Sequence, residues 1–163
     1  MTRKAASLLS LTAAIIVASW IPTTVFAAGP PDFSGNWTLN TDKGQNLGMV
    51  KAVSEKVAVK QTPEKLTLDF STTFMMKTSQ RQVTYDLTGK SSVVNEGAMG
   101  DKAETLAKWD GSKLVVTWTS EGAVAGTKTV KTEIRTLSAD GRTMTVRNER
   151  PGKDPMEMVY EKN

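Results

Sequence analysis

Three polar residues near the end of the sequence, Thr132, Asn148 and Arg150, alternate with apolar side chains and so share their strand faces. A guanidinium on an apolar face is costly to bury unless it meets an anion or a carboxylate. Arg150, together with Tyr160 ten residues later, is therefore a candidate clamp for a ligand. The alternative is that Arg150, which precedes Pro151 at a strand end, extends into solvent.

Catalytic chemistry has few side chains available in this chain. It contains no His and no Cys, which removes the usual zinc and copper ligands, the cysteine nucleophile and the commonest general base. Acid–base catalysis needs two carboxylates that converge in a cleft, and strand alternation places Glu133, Glu149 and Glu157 on outward faces. Serine and threonine hydroxyls lack a histidine to activate them. The sequence therefore predicts a protein that is not an enzyme and uses no metal or cofactor.

The elements that must position these residues are β-strands, because apolar side chains recur at every second position through most of the chain. Asp110-Gly111 and Asp140-Gly141 are typical of tight hairpin turns between such strands. After Ala27 there is no amphipathic pattern of helix length. Regularly spaced strands with short turns predict an all-β fold, a single up-and-down antiparallel β-barrel of about eight to ten strands.

The same alternation predicts which side chains face the barrel interior. Val130, Thr132 and Ile134 are placed inward, whereas Arg135 and Arg147 lie on the opposite faces of their strands and are predicted to contact solvent. Most of the other inward positions are expected to pack as core: Trp37, Leu66, Leu68, Phe70, Val83, Tyr85, Leu114, Val116, Trp118, Met144, Val146, Met156, Met158 and Tyr160.

The first 27 residues read as a secretory signal peptide, which leaves residues 28–163 as one domain. Arg3 and Lys4 precede an apolar run, and Val25-Phe26-Ala27 supplies the small residues that a signal peptidase reads. An uncleaved membrane anchor is the alternative. The leader carries two of the chain's 21 basic residues and none of its 17 acidic ones, so the remainder is too weakly basic to suggest nucleic acid as a partner. We expect a periplasmic or secreted protein with no integral membrane segment after cleavage.

Phe33-Ser34-Gly35-Asn36-Trp37-Thr38-Leu39 resembles the F-x-G-x-W-x-L opening of the calycins, which comprise the lipocalins and the intracellular fatty-acid-binding proteins. The segments 108–114 and 158–162 resemble an inner hairpin and the closing strand of the fatty-acid-binding group. The sequence is most similar to small exported bacterial lipocalin-like proteins that begin D-F-S-G-x-W. The resemblance implies a lipocalin-like barrel. Two features depart from the fatty-acid-binding pattern: residues 41–54 are too few for two capping helices, and Met158 stands where those proteins commonly have an Arg.

A barrel of this size is either filled by its own side chains or holds one small ligand. The first hypothesis is an exported barrel that binds a small apolar or amphipathic molecule, such as a lipid, in its interior, with an open mouth near Phe74-Met75-Met76. The alternative is a filled barrel that acts through its surface as an envelope-protein partner or protease inhibitor. The predicted ligand-binding residues are Phe70, Met76, Tyr85, Trp118, Thr132, Met144, Asn148, Arg150, Met158 and Tyr160.

Overall fold

The computed structural model describes residues 29–163, and the predicted signal peptide lies outside them. The described chain forms ten strands and one short 3₁₀ turn, Gly48–Ala52. This turn lies within residues 41–54, the segment that is too short for two capping helices. The strands are β1 Gly35–Gln45, β2 Ser54–Gln61, β3 Lys65–Phe74, β4 Lys77–Asp86, β5 Val93–Glu96, β6 Lys102–Asp110, β7 Lys113–Glu121, β8 Lys128–Leu137, β9 Thr143–Glu149 and β10 Met156–Lys162.

The ten strands form one antiparallel sheet in the order β4-β3-β2-β1-β10-β9-β8-β7-β6-β5. Every connection except β4–β5 joins strands that are neighbours in the sheet, and the first strand, β1, pairs with the last, β10. The predicted all-β, up-and-down barrel is confirmed. Gly35, at the start of β1, has a φ of 133°, which favours glycine, and a Cβ at this position would also displace the end of the Lys162 side chain, whose Cε would lie 2.6 Å away.

One seam of the barrel, between β4 and β5, is bridged by a side chain. The backbone N–H of Thr84 donates to Oδ1 of Asn95 (2.9 Å), and Nδ2 of Asn95 donates to the Thr84 carbonyl (2.7 Å). Nδ2 also donates to Oγ1 of Thr105 on β6 (2.7 Å). The buried side-chain amide of Asn95 thus takes the place of a peptide group and provides hydrogen-bond partners for the N–H and C=O of Thr84 at the edge of β4.

The two ends of the barrel differ. We call the end that carries the β2–β3, β4–β5, β6–β7 and β8–β9 connections the closed end, because aromatic side chains fill it. Phe33 stacks on Trp109 with ring centroids 6.1 Å apart, and Nε1 of Trp37 donates to the Phe33 carbonyl (2.9 Å). The opposite end, with the β1–β2, β3–β4, β5–β6, β7–β8 and β9–β10 connections, is called the open end.

Strand β8 faces the opposite way from the prediction. Its inward side chains are Lys131, Glu133 and Arg135, and the last two are only 5% and 3% exposed. Val130 and Ile134, predicted inward, point outward instead. The cause is the hairpin to β9, in which Leu137 pairs with Met144 and Arg135 with Val146. Because Met144 and Val146 face the core, their partners on β8 must do so as well.

Candidate ligand-binding site

The middle of the barrel interior contains a buried ion pair. Nε of Arg135 donates to Oε1 of Glu133 (2.7 Å), and the Tyr85 hydroxyl donates to the same oxygen (3.0 Å). Burial raises the pKa of Glu133, but Arg135 and then Lys131 lower it by more, so the carboxyl pKa lies below its usual range. Burial, then the Glu133 charge, raises the pKa of Tyr85. The pair is therefore ionised, with Tyr85 as a neutral donor to it.

A second carboxylate is engaged nearer the open end. The Tyr160 hydroxyl donates to Oε1 of Glu55 (2.6 Å), and Oγ1 of Thr72 donates to Oε2 of Glu55 (2.7 Å). Burial, followed by the Glu55 charge, raises the pKa of Tyr160. Tyr160 is thus committed to Glu55 as a donor. It does not form the predicted clamp with Arg150.

Two basic side chains on the inward faces of β4 and β8 lie over aromatic rings in the open half of the barrel. Nζ of Lys131 lies 4.3 Å from the ring centroid of Trp118, and Cζ of Arg81 lies 4.3 Å from that of Phe70. Both distances are typical of cation–π contacts. Neither cation forms an ion pair with a carboxylate of residues 29–163.

Trp118 also carries an unsatisfied hydrogen-bond donor. The residue is 5% exposed, and its buried indole N–H has no acceptor in the described part of the chain. Buried polar groups in native proteins are nearly always hydrogen-bonded, so an unsatisfied one requires an explanation. This N–H is a position where a ligand atom that accepts a hydrogen bond would be stabilised.

Lys131 is partly buried and lies close to other positive charges. Burial lowers the pKa of Lys131, and the positive charges of Arg150 and Arg81 lower it further, against the opposing effects of Glu133 and Asp101. Arg150 itself is exposed and lies just beyond β9. Arg150 thus extends into solvent at a strand end, which was the alternative to the ligand clamp. Its positive charge nevertheless acts on Lys131.

An apolar lip borders this region, as the sequence suggested. Met75 and Met76 form the two-residue β3–β4 connection and are 80% and 99% exposed. Both have positive φ values, 47° and 63°. A tight hairpin with two left-handed residues favours Asn and Gly, so two methionines at this turn are strained and unshielded. Such departures from turn chemistry are commonest at functional positions.

The predicted ligand-binding residues separate into four groups in the structure. Four of them, Phe70, Trp118, Asn148 and Met158, are buried or half-buried and face the open half of the barrel. Three more, Tyr85, Met144 and Tyr160, lie deeper in the core cluster, of which Phe70 and Trp118 are also members. Met76 is on the lip and Arg150 at the rim. Thr132 was predicted inward but lies on the outer face, because β8 is reversed.

Sequence reasoning missed the charged interior residues, which are Glu55, Arg81, Lys131, Glu133 and Arg135. Polarity misled the prediction for β8, since its outward residues are the more apolar ones. Counting pairs back from Met144 through the hairpin would have identified the correct face.

Other features of the described residues add little to the site. Two open hollows of about 300 and 400 Å³ lie outside the barrel and are lined mainly by outward-facing side chains of β5 to β8. Within residues 29–163 no three acidic, histidine or cysteine side chains are grouped to hold a metal ion. The same residues contain no helix of the length and hydrophobicity needed to cross a membrane.

Comparisons with known proteins match the fold and not the sequence. No protein-family model matches the chain, and no curated protein matches it either. Among solved structures, the "REP1-NXSQ fatty acid transporter" superposes with a TM-score of 0.62 at 15% identity, covering 80% of this chain and 95% of its own. "Human cRBP IV" gives 0.61 at 15% identity, with 82% and 100% covered.

A third solved structure is a Schistosoma mansoni fatty acid binding protein in complex with arachidonic acid, with a TM-score of 0.61, 16% identity and coverage of 80% and 96%. At these identities the similarity shows the fold alone. The chain is therefore an all-β protein whose barrel has the fold of these three solved structures.

Proposed function

We propose that this protein binds one small amphipathic molecule at the open end of its barrel. The observation that carries the proposal is the buried, unpartnered indole N–H of Trp118, whose ring lies 4.3 Å from Nζ of Lys131. Leaving a buried donor without an acceptor costs about 1–3 kcal/mol, so a ligand atom that accepts from this N–H would be stabilised here. The exposed apolar lip at Met75 and Met76 provides a surface for the rest of the molecule.

The interior limits the depth to which the ligand enters. The continuous buried cluster runs from the closed end as far as Phe70 and Trp118, and Met158 packs against it. The ligand is therefore proposed to contact the outer side of this cluster, next to Phe70, Trp118 and Met158, and not to enter below it. Methionine and aromatic side chains suit such a role, because they adapt to irregular apolar shapes and offer large contact areas.

We also propose that the protein acts outside the cytoplasm, in the periplasm or as a secreted protein. The basis is the sequence of residues 1–27, with its basic start, apolar run and Val25-Phe26-Ala27. N-terminal sequencing of the protein isolated from its host tests this proposal. We expect a chain that begins at Ala28, and a chain that retains Met1 in the cytoplasmic fraction would contradict it.

Native mass spectrometry of protein purified gently from its own host tests ligand binding directly. We expect a complex heavier than the bare chain by the mass of one small molecule, which is released and identified on denaturation. Bare protein, combined with no change in tryptophan fluorescence on addition of lipids and apolar dyes, would contradict the proposal.

A second candidate function is supported by the loops of the open end. Exposed apolar side chains occur on four of its five connections: Met49, Met75, Met76, Met99 and Val124. Scattered apolar tips at one end suit contact with an envelope protein or a protease. Co-purification of a stoichiometric protein partner, lost in a variant with Asn in place of Met75 and Met76, would favour this function over ligand binding.

A further inference from the structure

We propose that the open end contains an anion site made by Lys131, Arg81 and the indole N–H of Trp118, and that the ligand is an organic anion. Its acidic group, whether carboxylate, sulfonate or phosphate, would lie at the mouth of the barrel. The inference rests on the proposed function, because it names the class of ligand that the same site binds.

The indole N–H of Trp118 has no hydrogen-bond acceptor among residues 29–163. The nearest hydroxyl in register, Oγ1 of Thr105 on β6, donates to the Val93 carbonyl (2.9 Å) and accepts from Nδ2 of Asn95 (2.7 Å). These contacts also hold the seam between β4 and β5, so Thr105 is not free to turn toward the indole. Thr105 therefore leaves this N–H available to a bound molecule.

Two cations at the mouth have no carboxylate partner among the residues that the structure describes. Of the interior carboxylates, Glu133 is paired with Arg135 and also accepts from Tyr85, whereas Glu55 accepts from the neutral hydroxyls of Tyr160 and Thr72 and has no cation partner in the described chain. Lys131 and Arg81 are held over rings without carboxylate partners in residues 29–163. An anion between them would replace mutual repulsion by attraction.

The acidic group of the ligand cannot be bound deeper in the barrel, at Arg135. Arg135 is the only arginine in the core cluster of the described chain, and it is neutralised by Glu133 at 2.7 Å. An anion that approached Arg135 would also meet the negative charge of Glu133. The acidic group is therefore bound above this pair, with Lys131 as its first contact.

The mouth of the barrel also offers apolar surface beside the cations. Phe70 lies beneath Arg81, and Met158 is half-buried on β10. The lip of Met75 and Met76 continues this surface into solvent. A ligand with an acidic group and an adjoining apolar group matches both parts of the mouth, whereas a neutral apolar molecule leaves the cations and the Trp118 donor unsatisfied.

The experiment compares two fluorescent probes that share one ring system, anilinonaphthalene sulfonate and the uncharged phenylnaphthylamine. We expect the wild-type protein to bind the sulfonate more tightly than the neutral probe. Lys131→Gln should weaken sulfonate binding by about 10- to 100-fold, the range for a charge-assisted contact. Trp118→Phe, which keeps a ring but removes the N–H, should weaken it by about 3- to 10-fold.

Control variants separate a specific site from general charge effects. Arg147→Gln removes a cation from the outer face, where Arg147 pairs with Glu149, and should change neither affinity. Lys131→Arg retains the charge and should retain most sulfonate binding. Thermal unfolding of each variant shows that it is folded, and the neutral probe should bind Lys131→Gln and the wild type alike.

The outcomes distinguish this inference from the function on which it rests. If neither probe binds and no ligand is recovered from the host, the proposed function fails. If both probes bind equally and Lys131→Gln has no effect, binding stands but the anion site is overturned. An equal loss of sulfonate binding in Lys131→Gln and Arg147→Gln also overturns it, because it would show that only net charge matters.

Discussion

Two hairpins with two-residue turns lie at opposite ends of the barrel, and they differ in how well the turn residues suit the turn geometry. At the closed end, β6 and β7 are joined by Gly111-Ser112, with Gly111 at φ 58°. At the open end, β3 and β4 are joined by Met75-Met76, with both residues at positive φ. Glycine at the first position of a two-residue turn is the residue that this geometry favours, whereas methionine is not.

The contrast between the hairpins extends to the layers beneath them. The closed end has polar turns over a continuous apolar core, in which Phe33, Trp37 and Leu66 are fully buried. The open end has apolar turns over charged and aromatic side chains, including an unsatisfied N–H at Trp118. Local sequence and structure agree at the closed end and disagree at the open end. Such disagreement is expected where a protein binds something.

The largest expected effect concerns the ion pair that separates the two halves. Arg135→Met leaves the Glu133 carboxylate buried without its cation, which should lower the free energy of unfolding by about 3–5 kcal/mol. Chemical denaturation measures this loss. The double variant Glu133→Gln/Arg135→Met should recover most of it, because no unpaired charge remains. A single variant as stable as the wild type would show that the pair is not buried as described.

This pair also marks the limit of what the sequence could predict. Period-two alternation, the Asp-Gly turns and the Gly35–Trp37 strand sufficed for the barrel, since each is a local signal. Val130 and Ile134 are apolar residues of β8, and that local pattern pointed the wrong way. The register of the β8–β9 hairpin, which pairs Arg135 with Val146, decided the face. The contact of Glu133 with Tyr85, 48 residues earlier, could not be read from either strand alone.

Truncation of a core side chain should affect the two ends unequally. Leu68→Ala removes a fully buried side chain and should lower the free energy of unfolding by about 2–5 kcal/mol. Met76→Ala, at the exposed lip, should change it by less than about 0.5 kcal/mol. Urea denaturation of both variants gives the comparison. Equal losses at the two positions would contradict the division into a stabilising and a binding end.

Acid should weaken the protein partly through Glu133. The folded-state pKa of Glu133 lies below its usual range, because Arg135 and Lys131 outweigh the effect of burial. The stabilisation is therefore fully present above the ordinary glutamate pKa and is lost as pH falls through the lowered value. Stability measured against pH should decline less steeply in Glu133→Gln/Arg135→Met than in the wild type. Parallel curves would exclude this contribution.

The smallest effect should be a gain in stability at the lip. Replacing Met75-Met76 with Asn-Gly gives the β3–β4 turn the residues that two positive φ values favour, and should raise the free energy of unfolding by about 1 kcal/mol. Gly111→Ala at the closed end should lower it by a similar amount, since Gly111 lies at φ 58°. If the Asn-Gly variant is more stable but binds the probes less tightly, the methionines serve binding at a cost in stability. If its affinity is unchanged, the lip is not part of the ligand site, and contact with the ligand ends at Phe70 and Trp118.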